Sequence, residues 1–367
     1  MTKKIDLNRQ QTENIQGHNL MISKIIVDGA DKEAVPKGKF VFFAAFDGTN
    51  NDKDGKRDKE TPYSTNVGQL WNQYEEKRKT NPRLHGRYYP GLGTKEKPWT
   101  GTWAPAAVTR GVIKTAKEAY EDFAREASDW LAEMAKKKRK KKSKKPATTV
   151  TVVLTAFSRG AASAVIFSQL LYRNGLVDPS NKNKPLIKPG KVGVTAGVLF
   201  DPVATGVKGN LAFPPNVTNA VAIKAMNDYR TMFKSVDYSK QTDIVKTFGM
   251  YGNHCDIGGG YDNGLGALSL EAATKFLQRS GLPVNDVPYE RERIPDERKR
   301  ARGKKRKRVA DKVVVHSEQD TWDVYEEDGW MYPDKRQFDT KVLIKPASTT
   351  AGGKQRFMLY DGKSIIV

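Results

Sequence analysis

One cysteine, Cys255, stands among 367 residues, so no disulfide can close within the chain and the redox compartment is left open. Four histidines beside that one thiol are too few for a structural zinc site, and no metal or other cofactor is expected. No apolar run reaches the roughly 18 residues that a membrane-spanning helix needs. The opening MTKKIDLNRQQTENIQGHNLM lacks the apolar core of a secretory signal peptide, so synthesis in a cytoplasm is expected, with any export left to other means. Internal repeats are also absent.

Positive charge is abundant but localised. The net charge is +22, and Lys136–Lys145 and Arg298–Arg308 carry nine basic residues each, which leaves the remainder close to neutral. Neither run interleaves aromatic residues, so neither offers a stacking platform for single-stranded nucleic acid. Three readings of the runs stay open. They are solvated excursions, an electrostatic docking surface for anionic lipid worth on the order of 1 kcal/mol per Lys or Arg, or phosphate contacts to nucleic acid.

The chain divides into an N-terminal leader or peripheral segment (1–37), a main domain (38–290) with a basic insertion near 136–146, a basic linker (291–308) and a β-rich C-terminal appendage (309–367). KFVFFAAF (39–46) and TTVTVVLTAF (148–157) are near-continuous apolar runs of strand length, as expected of strands buried on both faces of a parallel sheet. Lys191–Phe200, Ala220–Met226 and Ile244–Tyr251 add further strands, and Arg87–Gly93 reads as a short strand and turn. Helical patterns cover Thr65–Tyr74, Val108–Met134, the small-residue stretch that ends at Gly175, and Ser269–Leu277. Strands that alternate with helices predict a mostly parallel central α/β sheet flanked by helices. The tail holds short strand-like runs that fit either a small β appendage or extra strands on the sheet.

Ala156-Phe157-Ser158-Arg159-Gly160 lies between the second buried strand and a helix. A sharp strand-to-helix turn exposes a serine hydroxyl above the sheet, and small residues on either side permit the turn. The helix N-terminus behind it favours developing negative charge. Ser158 is therefore the candidate nucleophile, against an ordinary helix N-cap. Only His254 and His316 follow it in sequence; His254, in a glycine-rich loop after a strand, is the better base, and His316 reads as a strand residue. Asp201, at the end of GVTAGVLF, is the candidate acid, with Asp256 as competitor or as a brace for the histidine loop. The order Ser158…Asp201…His254 is that of α/β hydrolases. Backbone N–H groups of Arg159 and of Gly48 or Thr49 are candidate oxyanion donors. The loop DGTNNDKDG departs from a calcium-binding loop, with Asp52 at the sharp-turn glycine and Asp58 at the bidentate glutamate, although a looser cation site stays open. Cys255 is expected to be a buried thiol turned away from His254 along an extended segment.

FDGTNN, STNVGQL, YYPGLGT, AFSRGAASA, GVLFDPVATG and GNHCDIGGGY, in that order from Phe40 to Leu277, resemble the motifs of the first class of type VI secretion lipase effectors. The resemblance implies an α/β-hydrolase fold and phospholipase A activity on a membrane surface, with Ser158, Asp201 and His254 at the family's Ser-Asp-His positions. It further implies delivery by a secretion machine, a spike or adaptor protein as partner, and a cognate immunity protein. Ala156 stands where glycine is usual, and GVLFDPV replaces a pattern commonly ending Trp-Asp-Thr-Val. A smaller ester or a lysophospholipid is an alternative substrate. A basic nucleic-acid or membrane-binding protein on a degenerate hydrolase scaffold is the alternative function, and oligomeric state is not legible.

Overall fold

A computed structural model describes residues 2–4, 6–32, 34–56, 61–94, 105–141, 150–291, 315–318, 336–339 and 341–367. The chain begins β1 (Thr2–Lys4), α1 (Arg9–Asp28), β2 (Phe40–Phe46), α2 (Asn66–Arg78), β3 (Leu84–Tyr89), α3 (Pro105–Lys141), β4 (Val150–Phe157) and α4 (Gly160–Asn174). It continues β5 (Leu176–Asp178), β6 (Asn181–Ile187), β7 (Gly193–Phe200), β8 (Ala220–Ala225), β9 (Val245–Met250), α5 (His254–Gly258) and α6 (Gly264–Arg279). The tail adds β10 (His316–Glu318), β11 (Ser348–Thr349), β12 (Gln355–Met358) and β13 (Ser364–Ile366).

Six strands form one parallel sheet in the order β3-β2-β4-β7-β8-β9. Every residue of β2 and β4 is buried, which is why their sequences carry no polar alternation. Side chains still divide by the period of two. Phe40, Phe42, Phe46, Val152 and Leu154 pack into the layer with α3 and α4. Val41, Phe43, Ala45, Val153 and Phe157 pack into the opposite layer with α2 and α6. This is the α/β-hydrolase-like sheet expected from the sequence, with helices on both faces.

Helices α1, α2 and α6 start where side chains satisfy their first free N–H groups, as α5 does through Asn253. Thr65 caps α2 through Gly68, Asn263 caps α6 through Gly266, and Asn8 with Gln11 forms a reciprocal capping box on α1. Helix α1 falls within the segment 1–37, where the sequence pointed to a leader or peripheral segment. It lies against α6 and β9, where buried Asn19 donates to Tyr251 O at 3.0 Å and accepts from Tyr251 N at 2.8 Å. The polar composition that hid this helix is in part a set of caps and backbone-pairing side chains.

The first basic run also differs from expectation. Helix α3 continues to Lys141, so the run begins within the helix, and Lys137 pairs with Glu133 at 2.5 Å. Residues 142–149 and the second run, Arg298–Arg308, lie outside the described residues. In the tail, β11, β12 and β13 form a separate antiparallel sheet, and β10 pairs with β1 through Lys4 and His316. The tail is nevertheless anchored to the main layers. Phe357 and Leu359 enter the α3–α4 core, while Asn210 donates to Lys345 O and Met358 O.

Asn66, from the STNVGQL motif, ties α2 to the helices after β9. Its Nδ2 lies within 3.1 Å of Ile257 O, Gly266 O and Ser269 Oγ, all buried. Replacing it with alanine removes a buried donor whose carbonyl acceptors are shared with the Ser269 hydroxyl, so Asn66→Ala is expected to lower the unfolding free energy by about 1–3 kcal/mol. Urea unfolding checks this; an unchanged midpoint contradicts it.

Candidate active site

β4 ends at Phe157, and the chain turns at once into α4. Ser158 makes that turn with φ +53°, in the left-handed region that favours glycine. Neighbouring strand ends fix the conformation: Ser158 N donates to Phe200 O at 3.1 Å, and Ser158 O accepts from Ala161 N and Val203 N. Gly160 is required by contact, since a Cβ there would stand 2.4 Å from Phe46 O and 2.7 Å from Asp47 O. Only three non-glycine residues among those described have positive φ, namely Asn50, Ser158 and Asp201. All three sit at the carboxyl edge of the sheet, and strained backbone of this kind concentrates at functional positions.

Asp201 follows β7 directly, with no solvent exposure. Its Oδ2 lies 2.6 Å from His254 Nδ1, and its Oδ1 accepts the Ala225 N–H at 3.0 Å. Burial pushes the Asp201 carboxyl up. The Arg336 charge, the hydrogen bond and charge of His254, and the Ala225 N–H outweigh it and hold the group below its ordinary value. Asp256 does not compete for the imidazole. Its Oδ2 accepts the Asn253 N–H at 3.0 Å and its Oδ1 the Asn263 amide at 2.5 Å, so it braces the histidine turn. His316, the other candidate base, lies in strand β10, as its sequence setting suggested.

His254 opens the short helix α5, and its ring is packed on two sides. Phe157 lies 4.4 Å away between centroids, and the Phe233 edge 4.9 Å away. Phe233 belongs to a single 3-10 turn, Thr231–Phe233, and carries the Arg230 guanidinium 3.4 Å above its face. Because residues 254–258 are helical, the extended-strand argument for Cys255 does not hold. Cys255 is half-buried rather than buried, and as the next residue of a helix it does not share a face with His254.

The loop after β2 lies against the nucleophile. A Cβ on Gly48 would be 3.1 Å from Ser158 Cβ. The Gly48 N–H is engaged by its neighbour, donating to Asp47 Oδ1 at 2.7 Å. Asp47 Oδ2 accepts in turn from Thr65 Oγ1 and Tyr88 OH, which makes this carboxylate an internal brace for the loop. Thr49 Oγ1 is buried and has no hydrogen-bond partner among the described residues. Arg159 forms the N-cap of α4 without a side-chain cap bond, and burial pulls its guanidinium below the ordinary value.

Sequence reasoning missed the groups behind the acid. Arg336 Nη2 donates to Asp201 Oδ2 at 2.8 Å, and its Nη1 donates to Asp228 O at 2.5 Å. Asp228 is also paired with Arg230. No periodicity marks Arg336, which lies 135 residues beyond its partner.

With this geometry in place, comparison with known proteins finds a family match for one segment. Residues 41–187 match the catalytic domain of the Tle1-like phospholipase effectors of the type VI secretion system. The match spans Gly48, Ser158 and Arg159 and stops short of Asp201 and His254. Among solved structures, the chain is similar to an uncharacterized protein from Pseudomonas aeruginosa, at 15% identity over 79% of this chain and 52% of that one, with a TM-score of 0.49. It is similar to the Tle1 effector bound to the VgrG spike, at 20% identity over 62% of this chain and 52% of that one, with a TM-score of 0.40. Esterase PE8 is a third, at 16% identity over 69% and 94% and a TM-score of 0.30. The chain thus spans about half the length of the first two. Curated protein sequences give no match.

A residue with a side chain at position 160 must displace the loop that touches Ser158. Gly160→Ala is expected to cost about 1–3 kcal/mol and to lower esterase turnover at the same time. Urea midpoints and turnover of a short-chain ester check both; wild-type values for both contradict the close approach.

Proposed function

We propose that the chain is a serine-dependent acyl hydrolase of phospholipase A type. One observation carries the reading. A buried, hydrogen-bonded Asp201–His254 pair lies at the same sheet edge as Ser158, on a strained strand-to-helix turn, and the Phe157 ring that precedes the serine packs on the imidazole.

In the proposed reaction, Ser158 Oγ attacks the ester carbonyl while His254 Nε2 takes its proton. The same proton passes to the leaving alcohol, which departs as a lysolipid. Water, deprotonated by His254, then cleaves the acyl-serine to release the fatty acid and restore Ser158. Asp201 fixes the imidazole tautomer through Nδ1–H and stabilises the cation formed in each half-reaction. The Arg159 N–H and Thr49 receive the oxyanion in this scheme. Thr49 takes the place of Gly48, whose N–H already serves Asp47. An unpartnered buried hydroxyl on the residue after Gly48 suits a donor that is used only when charge develops.

A cleft of about 540 Å³ lies between the loop after Asp201, the turn that carries Phe233, and the tail, and Ser158, Asp201 and His254 are not among its lining residues. Lys208, Lys234 and Lys341 line it together with Asp339, Met232, Val207 and Leu343, three cations against one carboxylate. Cations beside apolar side chains suit a phosphate-bearing head group and its acyl chain, which supports a phospholipid substrate. No helix among the described residues is long and apolar enough to cross a membrane. The match to secreted effectors supports delivery through a type VI apparatus on a spike protein and neutralisation by an immunity protein in the producing cell. Residues 38–290 are proposed as the catalytic unit.

Fatty-acid release from mixed anionic and zwitterionic vesicles tests the proposal. Wild type is expected to release fatty acid and Ser158→Ala none, with its fold intact by circular dichroism. Asp201→Asn is expected to lose on the order of a thousandfold or more in kcat. Lys208→Gln is expected to weaken action on anionic vesicles about fivefold, at about 1 kcal/mol per charge, and to spare short soluble esters. Release by Ser158→Ala at the wild-type rate overturns the assignment.

A further inference from the structure

Both His254 Nδ1 and Arg336 Nη2 bond to one oxygen, Asp201 Oδ2, at 2.6 and 2.8 Å. We infer that Arg336 is a positioning residue for the Asp201–His254 pair, brought in by the C-terminal tail to keep the carboxylate charged and aimed at the imidazole. The inference rests on the Ser158–His254–Asp201 reading and extends the working site to a segment outside both the matched region and the proposed catalytic unit.

Arg336 is held there from several sides. Its side chain is 7% exposed, and its second nitrogen reaches Asp228 O at 2.5 Å and Asp228 Oδ1 at 3.3 Å. The segment that bears it lies as a strap on the chain between β8 and β9. Ser235 N donates to Gln337 O and Asp339 N donates to Ser235 O, both at 2.9 Å. Phe338 covers the Lys224 ammonium, 4.1 Å from its ring centre. A guanidinium placed so is planar, permanently charged and able to serve two acceptors at once.

Charge balance explains what the contact does. A carboxyl without solvent exposure favours its neutral form, and a neutral Asp201 neither orients the imidazole nor stabilises its cation. Among the influences that oppose burial at Asp201, the charge of Arg336 is the largest. The other ionisable groups around the pair are Lys224 on β8 with Asp237 beside it, Asp228 and Arg230 beyond β8, and Asp256 on α5. Asp228 is shared by Arg230 and Arg336, and Asp256 is taken up by its own turn. Burial brings Lys224 down to about 8, so its proton leaves on the alkaline side and does not shape the acid limb.

The sign follows. Removing Arg336 lets Asp201 protonate at higher pH, so the acid limb of the activity profile, which belongs to the coupled pair, moves upward. The test is kcat, KM and the pH profile for 4-nitrophenyl butyrate, a soluble ester that reports the chemistry without vesicle adsorption. Arg336→Gln is expected to lower kcat roughly tenfold or more with KM little changed, and to raise the acid limb by about one pH unit, as expected for loss of one opposite charge at contact. Arg336→Lys keeps the charge and is expected to hold the limb near its wild-type position with a smaller fall in kcat. Should the Gln variant lose its wild-type circular dichroism, Arg336→Met carries the same comparison.

An unmoved limb in the uncharged variant, even with lower kcat, reduces Arg336 to a structural contact and overturns the inference. Equal displacement in the Lys and Gln variants overturns it too. An inactive wild type, or an active Ser158→Ala, instead sinks the underlying triad and is told apart by those controls.

Discussion

A carboxylate taken wholly out of water needs donors, and Asp201 draws them from three distant parts of the chain. His254 follows β9, Ala225 ends β8, and Arg336 lies in the tail. Burial of an unpaired charge costs several kcal/mol, so these contacts have to form together. The fold at the carboxyl edge of the sheet is organised around that need. The β7–β8 register sets the Ala225 N–H, the Asn253–Asp256 capping box aims His254, and the strap over Ser235 delivers Arg336.

Strain at the same edge points to a common purpose. Ser158 and Asp201 both hold backbone conformations that cost on the order of 1–3 kcal/mol in a residue with a side chain. Adjacent strands supply the compensation, through Ser158 N to Phe200 O and Asp201 N to Ile223 O. A sheet whose central strands are buried on both faces is rigid enough to sustain that arrangement. The long apolar runs of β2 and β4 therefore support the candidate site as well as the core.

Much of this was legible because burial on two faces leaves a simple signature. KFVFFAAF and TVTVVLTAF read as central strands, and the residues at strand ends fell where loops of the sheet edge belong. Asp201 and His254 were singled out by that logic, and the structure brings them within a hydrogen bond. Helix α1 was less visible, because its buried contacts run through Asn19 and His18 as much as through apolar residues, although the Asn8–Gln11 cap spacing was there to be read. Gly48 was named from sequence as an oxyanion donor and it does lie against Ser158, but no sequence pattern reveals that Asp47 already engages its N–H. Arg336 lay beyond reach altogether, since its partners are remote in sequence and its strap pairs with one short segment only.

The central claim is that Ser158 is an activated nucleophile, and covalent labelling addresses it without knowledge of the natural substrate. A fluorophosphonate probe, followed by mass spectrometry of the labelled peptide, reads out which hydroxyl reacts. The account predicts one stoichiometric adduct on Ser158 in the wild type, and loss of labelling in His254→Ala. An adduct on another serine, or none on a folded chain, contradicts it.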